Sequence, residues 1–158
     1  MIAATVMLQL YANEPTTPIR RVAEDMWLGG HVEDDDIDPS SSASFGWNTM
    51  TLPQPLFIAT GDDLTAVAIL LQLPTIVGDA PYGALVAFPS RKVAAVFPLD
   101  SVLPRAALDV MVNGLDHSSP DALTRTVYWW RGGDELIDLG PDSTQTLHLP
   151  DELAQLLC

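Results

Sequence analysis

An α+β domain with a mainly antiparallel sheet is what this sequence predicts, on three grounds. Two segments, "ALVAFPSRKVAAVF" and "TVYWWRGGDELIDL", carry the punctuation of β-hairpins. Single helical patterns separate the hairpins, where a parallel fold would alternate single strands with helices. The 158 residues contain no linker-like stretch and no internal repeat, and they fit one domain of the usual ~100–150 residues. The predicted order is βα, ββα, ββα, ββ, α, with the whole chain, residues 1–158, in one domain.

The first strand is read at "ATVMLQLY" (Ala4 to Tyr11), with Val6, Leu8 and Leu10 on one face. In "TTPIRRVAEDMWLGG", Thr17 is placed as the cap, Pro18 in the first turn and Gly29–Gly30 at the close. Ile19, Val22, Ala23, Met26 and Trp27 then form one apolar face, opposite Arg20, Arg21, Glu24 and Asp25. "FGWNTMTL" and "PLFIAT" are two short strands around Pro53 and Pro55. The helix in "GDDLTAVAILLQLP" starts at Asp62 and is apolar on nearly every side, which predicts burial between layers or beneath a partner.

Ala84 to Phe88 and Val93 to Phe97 are continuous apolar runs around a Ser90–Arg91–Lys92 tip. Strands without alternation are covered on both faces, so this hairpin belongs at the centre of the sheet. "DSVLPRAALDVMVNGLD" reads as a helix with Leu108, Met111, Val112 and Leu115 inward. The second hairpin turns at Gly132–Gly133, and Pro150–Asp151 starts a closing helix.

Seven Lys and Arg face 21 Asp and Glu, giving a net charge of −14, while the mean hydropathy is positive at +0.19. Apolar side chains are therefore concentrated in a core or interface, with carboxylates covering the rest. So acidic a chain repels nucleic-acid phosphates and anionic membranes, and it favours a basic protein partner. Net charge also serves solubility on its own. The one cysteine, Cys158, is the last residue, which fits a reducing compartment. The amino-terminal stretch lacks the basic region of a signal peptide, and no apolar run spans a membrane. The expected location is the cytoplasm.

"GGHVEDDDIDPSSSAS" (Gly29 to Ser44) concentrates Glu33, Asp34, Asp35, Asp36 and Asp38 beside His31. Counted from Asp34 as a calcium loop, the sixth position is Pro39 and the twelfth Phe45, where that loop needs Gly and Glu. His31-x-Glu33 matches half of a zinc deaminase signature, but the Pro-Cys-x-x-Cys half is missing. His117 and His148 are distant in sequence. The segment at about 31–44 is read as a solvated acidic loop that offers a docking edge. A metal-dependent enzyme built on the cluster from His31 to Asp38 is the alternative.

No nucleophile elbow and no phosphate-binding glycine loop is present. The pairs Asp62–Asp63 and Asp134–Glu135 are explained by helix capping and a hairpin edge. No catalytic residue, metal or cofactor is therefore assigned. The consecutive Tyr128, Trp129 and Trp130 place the two indoles on opposite faces of a strand, with Arg131 next to them. These residue types dominate binding hot spots. One ring facing a partner competes with both lying in the core; Trp27 and Trp47 are read as core.

From residue 61 to 137 the order is an apolar helix opening "DDLTAV", a strand ending "ALVAFPSR", an apolar strand "KVAAVFPL", a helix and "VYWWRGGDEL". This resembles a family of uncharacterised bacterial proteins, through Pro89–Ser90–Arg91 and Tyr128–Trp129–Trp130 above all. The resemblance implies a fold and no chemistry. The functional expectation is a non-enzymatic, acidic interaction protein, an inhibitor, immunity protein or adaptor for a protein partner. Its candidate binding residues are Tyr128, Trp129, Trp130, Arg131, Asp34, Asp35 and Asp36. A secretion-chaperone-like binder of unfolded cargo, working as a homodimer, is a second expectation.

Overall fold

The computed structural model describes residues 7–11, 16–26, 45–50, 55–62, 65–115 and 122–157. The acidic stretch at 31–44, with Asp34, Asp35 and Asp36, lies outside them, as do Trp27, His117 and Cys158.

The expected α+β architecture is present. A seven-stranded sheet runs in the order β2-β8-β7-β5-β6-β4-β3, and every neighbouring pair in it is antiparallel. Its strands are β2 (Thr16–Pro18), β3 (Phe45–Met50), β4 (Leu56–Gly61), β5 (Ala84–Ser90), β6 (Val93–Pro98), β7 (Val127–Trp130) and β8 (Glu135–Asp138). The β5–β6 hairpin is central, as its continuous apolar runs require. Ala84, Val86 and Phe88 enter one core, and Leu85 and Ala87 enter the other on the opposite face.

The first core is covered by α1 (Ile19–Met26), α2 (Thr65–Leu71) and α3 (Leu73–Val77). The stripe Ile19, Val22, Ala23 and Met26 is buried while Arg20 and Arg21 stay in solvent, as the helical spacing predicts. All of Thr65 to Leu70 is buried, which accounts for a helix with no polar face. The β5–β6 turn holds that helix in place: the Arg91 carbonyl accepts the Ala66 N–H at 2.9 Å, one of the donors that a helix start leaves unpaired.

The second core lies under α4 (Arg105–Asp109), its π-helical continuation Val110–Gly114, and α5 (Asp151–Ala154). Leu108, Met111 and Val112 point into it, and Leu115 packs against it half-buried.

Three elements differ from expectation. Thr16–Pro18 is a strand, not a helix cap: Thr17 pairs with Leu136, and the Ile19 N–H still reaches the Asp134 carbonyl at 2.8 Å. The β-branched threonines suit a sheet edge, and Pro18 removes a donor where an edge strand ends. Past Gln72 the chain re-enters a helix, α3, with Pro74 in its first turn, where the missing N–H costs nothing. A ninth strand, β9 (Thr146–Pro150), precedes α5 and pairs in parallel with β1 (Met7–Tyr11) as a separate two-stranded sheet. No helix among the described residues is long and apolar enough to cross a membrane.

Candidate interaction surface

The tryptophans of β7 do go to opposite faces, but both enter a core. Trp129 is 1% exposed and its indole N–H donates to the Tyr82 carbonyl at 2.9 Å. Trp130 is 5% exposed and donates to the Gly133 carbonyl at 3.1 Å. A buried indole needs such a partner for its N–H; the connection that leads into β5 supplies one and the β7–β8 turn the other. Neither ring is presented to a partner, which corrects the assignment of Trp129 and Trp130 as binding residues. The reason is topological: β7 is an interior strand, with helical layers on both sides.

Their neighbours keep some access. Arg131 is exposed, its guanidinium 5.2 Å from the centre of the Trp129 ring and 4.0 Å from Glu152. It covers the indole face as much as it offers charge. Tyr128 is half-buried against Phe88, with ring centres 6.4 Å apart, and lines a cleft of about 200 Å³ beside α1.

Two large aromatics among the described residues are exposed, Tyr82 and Trp47; for Trp47 this corrects the expected core position. It is 42% exposed on β3, the strand that ends the sheet. Among the described residues β3 has a neighbour on one side only, and the layers that bury Trp129 and Trp130 leave Trp47 partly exposed. Trp47 meets Phe57 edge-to-face, with ring centres 6.3 Å apart and planes at 86°. With Thr49, Thr75 and Ile76 the two rings line an open groove of about 390 Å³, and none of the described residues in its wall is charged.

The two ends of the sheet differ in kind. β2 has three residues and finishes in proline, the way natural proteins blunt a free edge. β3 has six residues, none of them charged or proline, and among the described residues it pairs with β4 alone. Its sequence surroundings carried the signal: "FGWNTM" lies between a serine-rich acidic run and "TLPQP", flanks that suit an edge better than a core strand.

A third cluster sits in the turn before β9. Asp142 Oδ1 accepts from the Thr144 N–H at 2.7 Å, the Thr144 hydroxyl at 2.6 Å and the Thr146 N–H at 3.1 Å. Its Oδ2 lies 2.9 Å from His148 Nε2. The Thr144 hydroxyl bond, followed by the His148 and backbone contacts, holds the Asp142 carboxyl well below the usual carboxylate range. Hydroxyl and imidazole both end on the carboxylate. A nucleophilic triad needs the imidazole between the other two, so this cluster organises a turn. Among the described residues no three His, Cys, Asp or Glu side chains gather as a metal site, and the cluster from His31 to Asp38 lies outside those residues. No family model matches the chain, and neither a curated protein nor a solved structure matches it.

Proposed function

We propose that this chain is a non-enzymatic, acidic interaction protein of the cytoplasm that binds a basic protein partner at the β3 edge. The observation that carries the reading is the exposed Trp47, set beside Phe57 and Ile76 on a six-residue uncharged edge strand. A large apolar ring in water, next to more apolar surface, marks a site of association. Among the described residues β3 pairs with β4 alone, and an end position of that kind adds the capacity to pair with an extended segment.

Charge supports the choice of partner. The described lining of the groove is uncharged, while the chain carries −14 and exposed Asp62 and Asp79 follow β4 and α3, two of the elements that build the groove. A neutral anchor within an acidic field attracts a basic protein from a distance and holds it by apolar contact. Asp34, Asp35 and Asp36 add to that field through net charge. Tyr128 and Arg131 belong to other parts of the surface.

Affinity capture from the source cells with wild type and Trp47→Ala, each at low and high salt, tests this reading. Truncating a hot-spot tryptophan costs about 2 kcal/mol or more, roughly thirtyfold in Kd. The expected result is a basic protein whose binding weakens by that factor in Trp47→Ala and also weakens as salt rises. An acidic partner, or one held equally by the variant and at high salt, contradicts it.

A further inference from the structure

Asp138, the last residue of β8, stands directly across from Tyr128 on the face that carries α1. One carboxylate oxygen, Oδ1, accepts the Gly140 N–H at 2.8 Å. Among the described residues the carboxylate makes no other hydrogen bond and no ion pair. A half-buried carboxylate with one oxygen unengaged is costly to keep unless water or a ligand completes it. Asp138 lines the cleft of about 200 Å³ that Tyr128 also lines.

The rest of the lining defines what fits. Thr17 and Thr124 bring hydroxyls, and Val22 and Met26 of α1 bring an apolar wall. The Thr124 hydroxyl donates to Thr126 Oγ1 at 2.9 Å and accepts the Thr126 N–H at 3.0 Å, so towards a ligand it accepts through its second lone pair. A carboxylate, accepting hydroxyls and a tyrosine ring select a cationic donor and reject anions. With Oδ1 held by Gly140, the two-pronged grip that a guanidinium prefers is lost, whereas an ammonium needs only single acceptors. One carboxylate falls far short of the roughly six to eight oxygens that Ca²⁺ takes. The volume is below the ~300–1,000 Å³ of sites for drug-sized ligands.

We propose that this cleft binds a small primary amine as its ammonium ion. The charged head sits between Asp138 Oδ2 and the Thr17 and Thr124 hydroxyls, against the Tyr128 ring. A short hydrocarbon body lies along Val22 and Met26. The site is separate from the Trp47 groove and holds whether or not that groove binds a protein.

The test is a titration of the full chain with n-butylammonium and, in parallel, with n-butanol of the same shape, followed by amide NMR shifts. Saturable shifts at Thr17, Thr124 and Tyr128 are expected with butylammonium in the millimolar range, and binding of butanol at least tenfold weaker. Asp138→Asn keeps an acceptor for the Gly140 N–H and should weaken butylammonium at least tenfold without altering the melting temperature. If that variant fails to fold, the comparison of the two ligands on wild type decides alone. Equal affinity for both ligands, saturable shifts confined elsewhere, no saturable shift, or a folded Asp138→Asn with undiminished binding overturns the proposal.

Discussion

Asp142 shows how much one side chain can organise locally. Its carboxylate gathers two backbone N–H groups, a hydroxyl and an imidazole, and so fixes the turn that delivers β9 to β1. Those bonds favour the charged form, so the folded-state pKa lies below the unfolded value of about 3.9. The resulting stabilisation is complete above that unfolded value and is lost as pH falls from it towards the lower folded value. Calorimetry of wild type and Asp142→Asn between pH 5 and pH 2 should show a gap in melting temperature that narrows with acidification. A gap that stays constant or widens removes the charge from the explanation. This cluster was hidden in the sequence, because "PDSTQTLH" reads as an ordinary polar turn. Only the fold shows that His148, on a strand, reaches back to the turn that precedes it.

Elements whose apolar pattern had a single solution were legible. The unbroken runs of β5 and β6 permit only a strand pair covered on both faces, and the four-residue stripe of α1 permits only a helix lying on a core. Elements that depend on a distant partner were not. β2 is a strand because β8 lies beside it, and β9 because β1 does; three residues of β2 are too few for a period, and the short alternation of Leu147 and Leu149 in β9 does not name β1 as its partner. Trp129, Trp130 and Trp47 divide the same way: residue type gave three large aromatics, and strand position within the sheet decided which is exposed.

Gly83 is the tightest joint between elements. Its φ is +73°, and a Cβ there would stand 1.8 Å from the Trp130 carbonyl oxygen. Close approach of β5 to the end of β7 therefore requires glycine. The same turn supplies the Tyr82 carbonyl to Trp129 and the Gly83 carbonyl to the Leu99 N–H. Gly83→Ala should lower stability by about 3 kcal/mol or more in chemical denaturation, since backbone must shift as well as strain. Gly132 has an equally unusual φ of +107° but nothing within 4 Å of its added Cβ, so Gly132→Ala should cost only the ~1–3 kcal/mol of strain. Equal costs at the two sites would contradict the importance of the close approach.

For the whole molecule, the two ends of the sheet differ among the described residues. Helical layers fill both faces of its centre, a short proline-terminated strand closes the β2 end, and an uncharged strand with an exposed tryptophan stands at the β3 end. A chain with a −14 charge has ample means to cover an edge with carboxylates, and β3 has none. That asymmetry is the basis for proposing a partner at this end. The most direct measurement is photo-crosslinking inside the source cells, with a benzophenone side chain at position 47 and, in a separate variant, at position 16 on the opposite edge. Position 47 should yield one dominant adduct to a basic protein and position 16 should not. Adducts from position 16 alone, or no protein adduct from position 47 in a chain that folds normally, would contradict the assignment of the β3 edge.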